Sequence, residues 1–222
     1  QNAQMKDISQ TINKYYISEG ITKIRAQDMH AARALRYKIK PFASAYRSEN
    51  GLADVRVHPM LVSKKSTLAH IDYVTNAVSL SGHPVGNITL SGPGAGEFPT
   101  ASSVVGDILA IAAEIGKSDY ILPMMRCKHS QNAQMKDISQ TINKYYISIN
   151  AKNNKGVIGK IGTICANHDI SLASIVQRCV SEDNTADITV ITELVKEENM
   201  QKAIKLIEQD GNKVNSLIRV QV

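Results

Sequence analysis

Apolar and polar positions divide the chain into two series of predicted elements, the first of which ends near residue 116. It contains a short helix with Met29, Ala32 and Leu35 on one face, and extended segments at 38–46, 54–58 and 73–80. Asp28 is a suitable N-cap for the helix, and Asn50-Gly51 predicts a hairpin turn. Pro41 favours an edge strand, because proline has no backbone N–H to donate. The series predicts an α+β fold, mostly antiparallel sheet with helices on one face.

A glycine-rich segment at 91–96 lies in this series between an alternating run and an apolar-periodic run. We predict a strand, a loop and a helix, with Thr100 and Ser102 at the helix start. Gly92, Gly94 and Gly96 let the backbone turn sharply and let another group approach closely. The loop could receive a phosphate, a carboxylate or a nicotinamide carboxamide; the alternative is a tight turn that packs the helix on the sheet. It matches neither a Walker loop nor the six-position Rossmann fingerprint.

The second series begins near Lys144 and has a different order of elements. It predicts strand 145–151, a helix ending near 167, strand 171–180, turn 181–184, strand 186–194, helix 197–209 and strand 214–220. A loop with Gly156 and Gly159 follows the first strand, and Gly211 follows the second helix. The order βαββαβ predicts a ferredoxin-like arrangement.

Residues 1–18 recur letter for letter at 131–148. Structural repeats diverge and need more copies, so an identical pair indicates a very recent duplication, a feature introduced during cloning or an error in the assembled sequence. The second copy continues into the strand that begins the second series, whereas the first copy meets an unrelated segment at Glu19. We therefore expect residues 1–18 to be out of place and draw no function from them.

Length and composition exclude several classes of protein. The 222 residues allow one or two domains, no run of eighteen apolar residues predicts a membrane span, and the N-terminus has no signal-peptide core. We expect a soluble, cytoplasmic protein. The three cysteines lack C-x-x-C spacing and indicate reduced thiols. His58 and His70 are interpreted as polar ends of strands, and no clustered partner predicts a metal site.

The formal charge of +6 arises in one part of the chain, since residues 19–65 hold ten Lys/Arg against four Asp/Glu. These charges alternate along the predicted helix and strand, which does not favour a nucleic-acid surface. A solvated face, or a surface that meets an acidic cofactor or a further domain, is the favoured interpretation. We expect neither nucleic acid nor a membrane as a partner.

The short sequence motifs of the first series indicate a protein family more specifically than the spacing of its apolar residues does. Its motifs, in order, are Glu19-Gly20-Ile21, Asp54-Val55-Arg56-Val57-His58-Pro59, Asn76-Ala77-Val78 and the glycine loop with Pro99-Thr100-Ala101-Ser102. Together they resemble the later half of the homoserine dehydrogenase catalytic domain, over residues 19–116. The chain departs from the usual pattern at Arg36, Pro41, Tyr73 and Thr75.

The second series resembles an ACT domain, through Lys155-Gly156-Val157-Ile158-Gly159-Lys160-Ile161 and Asp169-Ile170-Ser171-Leu172. Such domains follow the catalytic domain in many bacterial homoserine dehydrogenases. The expected organisation is therefore a duplicated segment at 1–18, a catalytic-domain portion at 19–116, a connector at 117–144 and an ACT regulatory domain at 145–222.

The resemblance implies an enzyme that interconverts aspartate semialdehyde and homoserine with NADP or NAD, in threonine and methionine biosynthesis. In the family the glycine loop lies close to the cofactor, which gives Gly92, Pro93, Gly94, Ala95 and Gly96 as cofactor-binding candidates. The Rossmann domain and the catalytic lysine of the family precede the EGI motif, so this sequence has no catalytic residue to assign. Asp72 and Asp107 are not assigned a role. The residues that choose NAD or NADP also lie before this motif.

For the ACT domain the resemblance implies a small amino-acid effector, threonine, and a homo-oligomer of at least two subunits. The matching ligand positions are Asn153, Asn154, Gly156, Val157 and Ile158. Asp and Pro commonly occupy the places of Asn154 and Lys155, which leaves open a domain that only dimerises. The alternative for the whole chain is a non-catalytic amino-acid sensor or dimerisation protein.

Overall fold

A computed structural model of the protein describes residues 16–48, 50–115, 134–180 and 184–222. The strands are β1 Tyr16–Ser18, β2 Tyr37–Arg47, β3 Ala53–Ser63, β4 Thr75–Gly82, β5 Gly86–Pro93, β6 Ile142–Lys152, β7 Leu172–Val180, β8 Thr185–Thr192, β9 Val195–Lys196 and β10 Lys213–Val220. The helices are α1 Ala26–Ala34, α2 Glu97–Glu114, α3 Val157–Ala166 and α4 Glu197–Gln209. Short 3-10 turns lie at Thr67–His70 and Ile138–Gln140.

The chain forms two compact units: residues 1–64 with 133–222, and residues 65–132. The first unit is built on one sheet, in which the strand order is β3-β10-β6-β8-β7. Hairpin pairing joins β2 to β3 along their whole length, as Asn50-Gly51 predicted, and Gly51 has a φ of 81°. Along its other edge β3 pairs in parallel with β1 and then with β10. The mixed architecture confirms the α+β class.

The parallel pairing of β3 with β10 joins the two predicted series in one sheet. Arg219 and Val220 lie opposite Met60 and Leu61, and the N–H of Gln221 donates to the carbonyl of Leu61 at 2.8 Å. Elsewhere in this sheet the pairs β2–β3, β10–β6, β6–β8 and β7–β8 are antiparallel, as predicted. A sheet shared by both series does not decide where one domain ends and the next begins. The boundaries at 19–116, 117–144 and 145–222 stay predictions.

Side chains of β6 alternate between the two faces of this sheet, and both faces are covered. The first face packs against α3 and α4 in an apolar core that includes Tyr145, Ile147, Ile149, Ile161, Ile188, Met200 and Ile207. The second face packs against α1, with Ala31, Ala32, Leu61, Tyr146, Ile191, Ile218 and Val220. Burial of this apolar area supplies the main driving force for the unit.

The first helix differs in detail from its prediction. Arg25 occupies the N-cap and Asp28 is the third helical residue, where its carboxylate accepts a hydrogen bond from the Arg25 N–H at 2.9 Å. Asp28 is fully buried, whereas Met29 is 62% exposed. The buried face therefore contains Asp28, Ala31 and Ala32, because polar partners in the sheet satisfy the carboxylate.

The second unit contains the β4–β5 hairpin and α2. The hairpin pairs in one register from Thr75 with Pro93 to Gly82 with Gly86. Ser91, Gly92 and Pro93 are thus part of a strand, and the connecting loop is shorter than predicted. Helix α2 begins at Glu97, so Thr100 and Ser102 lie inside it and not at its start. Proline at position 99 is tolerated because first-turn N–H groups have no partner within a helix.

The ACT-like elements agree closely with the prediction, and helix 197–209 agrees at both ends. The strand β9, which pairs with β6, was not predicted. The predicted turn at 181–184 falls mostly outside the described residues. So does most of the first duplicated copy, whose last residues form β1 beside Val55 to Val57.

Candidate functional site

The predicted effector loop connects β6 to α3 and forms a hydrogen-bonded turn. Gly156 is the N-cap of α3 with a φ of 87°, which favours glycine. The Val157 N–H donates to the carbonyl of Asn154 at 3.2 Å, which closes the turn. The first-turn N–H groups of α3 point out of the helix end, where they can bind a carboxylate.

A shallow cavity of about 290 Å³ lies beside this loop. Its lining residues are Lys152, Asn154, Lys155, Val157, Lys160, Asp210, Gly211 and Asn212. Three lysines face one carboxylate, and Lys160 Nζ donates to Asp210 Oδ1 at 3.2 Å. The cavity has the charge to receive a carboxylate, and the Asp210 carboxylate is its counterpart for an ammonium group.

The five predicted effector residues are only partly brought together. Asn154 and Val157 line the cavity, and Gly156 caps the helix between them. The Asn153 side chain instead accepts a hydrogen bond from Gln177 Nε2 at 3.2 Å, on the side of β7. Ile158 is an exposed residue of the first helical turn. Asn153 therefore bonds to β7, while the neighbouring Asn154 lines the cavity.

In the glycine loop, two glycines are required by the local structure. A Cβ on Gly94 would lie 1.9 Å from Asn76 Nδ2, and Gly96 has a φ of 124° at the N-cap of α2. By contrast, a Cβ on Gly92 would meet nothing within 4 Å. The Gly94 N–H donates to the carbonyl of Val74 at 2.7 Å. Close packing on the NAV strand thus accounts for Gly94.

A polar cluster that is buried apart from Glu19 and Asp54 lies where β3 and β10 meet, and we call it the junction network. Its members are Glu19, Asp54, Arg56, Asn143, Tyr145, Glu197 and Arg219. Arg219 donates from Nη2 to Glu197 Oε2 at 2.9 Å and from Nη1 to Glu19 Oε1 at 2.9 Å. The guanidinium carbon lies 5.8 Å from the centroid of the Tyr145 ring. Arg219 therefore bridges the EGI motif and the first residue of α4.

Hydrogen bonds extend the junction network to both sequence series. The Tyr145 hydroxyl donates to Glu197, and Arg56 donates to Asn143 and to Asp54. Asn143 Nδ2 in turn donates to the Tyr145 hydroxyl at 3.0 Å. Three strands, β3, β6 and β10, thus contribute to one connected set of donors and acceptors.

The electrostatic environment keeps the central pair charged. Burial alone would raise the pKa of the Glu197 carboxyl, but the Arg219 charge and hydrogen bonds from Tyr145 and Gln201 lower it. Burial opposes the charge on Arg219, yet the Glu197 and Glu19 carboxylates raise the pKa of its guanidinium. Burial, followed by the Glu197 charge, raises the pKa of the Tyr145 hydroxyl. Tyr145 therefore acts as a neutral donor.

His58 lies in the middle of β3 and is buried, so its interpretation as a polar strand end is wrong. Its Nδ1 is 2.9 Å from the carbonyl oxygen of Pro59, which fits an N–H donor at Nδ1. In the described part of the chain Nε2 has no hydrogen-bond partner. Burial is the main cause that lowers the pKa of the imidazole, and the charges of Arg219 and Arg56 add to it. The buried imidazole is therefore neutral.

The structure bears on metal binding and membrane spans only for the residues that it describes. Among these, no three His, Cys, Asp or Glu side chains come together as a metal site would require. Cys165 is a buried thiol whose pKa burial raises to about 11. In the same residues, no helix has the length and apolar character to span a bilayer. Cys127 lies outside the described residues.

Sequence reasoning missed Glu197, Arg219 and Asn143. Each is a polar residue within an otherwise apolar strand or at a helix start, which by itself is a weak signal. The signal that could have found Arg219 is its position between Ile218 and Val220, in a strand that is buried on both faces. A charge in such a strand needs a partner.

Comparisons with known proteins agree with both parts of this architecture. Residues 5–109 match the family model described as homoserine dehydrogenase, and residues 145–212 match that of the ACT domain. The chain is 33% identical to homoserine dehydrogenase of Neisseria gonorrhoeae over 86% of this chain and 44% of the relative. It is 34% identical to that of Synechocystis over 91% of this chain and 48% of the relative.

A solved structure of a homoserine dehydrogenase from Thiobacillus denitrificans is similar to 93% of this chain. The TM-score is 0.79 and the identity 30%, over 48% of that protein. The chain thus spans about half the length of the relatives it matches. The chain therefore carries a region that matches the homoserine dehydrogenase family, followed by an ACT domain, and it shares its fold with a solved homoserine dehydrogenase.

Proposed function

We propose that this chain is the later catalytic-domain portion and the regulatory domain of an NAD(P)-dependent homoserine dehydrogenase. The enzyme interconverts aspartate semialdehyde and homoserine in threonine and methionine biosynthesis, in the cytoplasm. The observation that carries the proposal is the similarity over 93% of the chain to a solved homoserine dehydrogenase. The relatives are about twice as long. The resemblance implies that the catalytic lysine and the dinucleotide fold precede the EGI motif.

The glycine loop fits a dinucleotide only in part. Space beside Gly92 is open, but the place of a Cβ on Gly94 is taken by Asn76. Glu97 lies in the first turn of α2, where its carboxylate competes with a phosphate for the helix dipole. Gly92 and Pro93 would therefore border the nicotinamide end of NADP or NAD, away from its phosphates. When bound, the nicotinamide supplies the hydride transfer.

The ACT portion binds a small amino acid, threonine, in the cavity beside Asn154. Three lysines and the N-terminus of α3 favour the carboxylate, and Asp210 is available to the ammonium group. Bound threonine lowers the turnover of the enzyme as the end product of the pathway. A domain that only holds subunits together would lack this response.

Homo-oligomer formation is supported by apolar side chains on the second unit. The exposed residues include Val78, Leu80, Ile88, Leu90, Phe98, Val104, Val105, Ile108, Leu109 and Ile111. An isolated two-stranded hairpin is at best marginally stable in water, and an apolar side chain that stays exposed contributes no burial. The unit therefore packs against further protein, either a second subunit or other residues of the same enzyme.

The direct test is the intact mass of the native protein, with peptide mapping. We expect a mass above the 24.2 kDa of the 222-residue chain by a domain of roughly 150 residues, and one QNAQMKDISQ peptide. A native mass of 24.2 kDa with both copies present, and threonine binding without dinucleotide binding, would establish the non-catalytic sensor instead.

A further inference from the structure

Two elements connect the effector cavity to the junction network. Helix α4 begins at Glu197 in the network, and the turn after it supplies Asp210 and Gly211 to the cavity. Its 13 residues span about 20 Å at 1.5 Å per residue. Strand β10 starts immediately after the cavity residue Asn212 and carries Arg219 near its other end. Both routes out of the cavity therefore lead to the Glu197–Arg219 pair.

The Glu197–Arg219 ion pair couples the position of α4 to the orientation of the Arg219 guanidinium. Arg219 and Glu197 have side chains that are 4% and 5% exposed, so neither can exchange its partner for water. The guanidinium is a planar group with fixed donor directions. A shift of α4 along its axis therefore reorients Arg219, and the Nη1 that contacts Glu19 moves with it. Close-packed surroundings convert such a shift into a change between discrete arrangements.

We infer that Arg219 is the positioning residue through which the effector cavity controls the EGI segment and β3. The inference rests on the proposed function, since it takes the cavity beside Asn154 as the effector site. Glu19 is the receiving group, and Arg56 and Asn143 connect the same movement to β3. Because coupling between two sites is reciprocal, a change at Glu19 alters the cavity as much as a ligand in the cavity alters Glu19.

Because the coupling is reciprocal, it can be tested by a substitution at Glu19 with the effect measured at the effector cavity. Glu19→Gln removes the charge that faces Arg219 but keeps the size of a side chain that is 45% exposed. Glu193→Gln is the matched control, because Glu193 is 49% exposed and its ion pair is with Lys144 instead of Arg219. Both variants keep the buried Arg219–Glu197 pair, so both are expected to fold. Circular dichroism and thermal unfolding check this.

The first measurement is hydrogen–deuterium exchange of the native protein without added ligand. In Glu19→Gln we expect amides of 152–160 and 208–213 to exchange about fivefold faster, the lower end of usual coupling factors. Glu193→Gln should leave them unchanged. Unchanged exchange in Glu19→Gln, or the same acceleration in both variants, overturns the inference.

The second measurement is calorimetric titration with threonine as the probe. We expect the Kd for threonine to change about fivefold in Glu19→Gln and to stay constant in Glu193→Gln. Equal threonine affinity and equal exchange in all three proteins reject the coupling and leave the proposed function standing. Accelerated exchange in Glu19→Gln without threonine binding in any protein supports the coupling and rejects threonine as the effector.

Discussion

The Ser216 hydroxyl donates a hydrogen bond of 2.9 Å to the Asp28 carboxylate, although 188 residues separate the two along the chain. The Tyr146 hydroxyl donates to the same oxygen at 3.1 Å. Burial is the first cause, and the Asp28 charge the second, that raises the pKa of Tyr146 to about 12. A carboxylate of the first helix is thus held by two strands of the ACT portion, which fixes α1 on that sheet.

Removal of this carboxylate should destabilise the protein. Asp28→Ala leaves the hydroxyls of Tyr146 and Ser216 buried without their acceptor, and we expect a loss of about 2–4 kcal/mol in the free energy of unfolding. The control is Met29→Ala on the exposed side of the same helix, with a change within about 0.5 kcal/mol. Urea unfolding followed by circular dichroism measures both. Equal midpoints for the two variants would show that Asp28 does not anchor the helix.

Stability should fall in mild acid because of His58. The unfolded imidazole binds a proton near its ordinary pKa of about 6.5, whereas the folded imidazole, with its lowered pKa, binds one only at lower pH. Below the unfolded pKa the unfolded state therefore holds more protons, and stability is lost as the pH falls toward the folded pKa. Glu19, which faces His58 along with Arg219 and Arg56, offsets part of this loss.

The measurement is the free energy of unfolding from pH 8 to pH 5, for the wild type and for His58→Gln. The wild type should lose up to about 1.4 kcal/mol per pH unit more than the variant below pH 6.5. The carboxylates and the other histidines are common to both proteins and cancel in the difference. Parallel curves would mean that the imidazole of His58 has the same pKa in the folded and unfolded states.

Gly94 should tolerate no side chain unless Asn76 moves. We expect Gly94→Ala to destabilise the hairpin by about 1–3 kcal/mol, because its Cβ would overlap the Asn76 amide. Gly92→Ala, where the added carbon meets open space, is the control. Limited proteolysis of the second unit reports both. The double variant Asn76→Ala, Gly94→Ala should recover resistance to cleavage, and failure to recover would remove this contact as the cause.

The effector cavity should bind threonine more tightly after one substitution. Asn154→Asp adds a carboxylate to the cavity lining, where it can pair with an ammonium group, and we expect an affinity about tenfold higher. Asn153→Asp is the matched control, since Asn153 contacts Gln177 and does not line the cavity. Calorimetric titration compares the three proteins. A larger gain in Asn153→Asp would place the effector on the other side of the loop.

The sequence predicts the ACT portion well because its local signals agree with one another. Helix α4 has strong apolar periodicity and is followed by Gly211 with a φ of 85°, so both of its ends are recognisable. The start of α2 is less well defined by the sequence. The predicted start lies after Pro99, at Thr100 and Ser102, whereas the helix begins at Glu97. Proline in a first turn is compatible with either start, and the sequence alone does not decide.

The junction network lies beyond prediction from sequence for a different reason. Its charges come from segments far apart in the chain. Apart from Arg219, which lies between Ile218 and Val220, each resembles an ordinary polar position of a strand or a helix end. Only the parallel pairing of β3 with β10 brings Arg56 and Arg219 to the same buried place. Long-range strand pairing has no local signal, so neither the network nor the burial of His58 follows from the periodicity.

The rate of homoserine oxidation by the native protein, with and without threonine, tests the central claim most directly. With homoserine and NADP or NAD, the absorbance of the reduced nicotinamide should rise, and threonine should lower the rate. The same threonine response should be changed in the Glu19→Gln enzyme and kept in the Glu193→Gln enzyme. No homoserine-dependent reduction of either dinucleotide by the native protein would contradict the account and leave an amino-acid-binding protein without this activity.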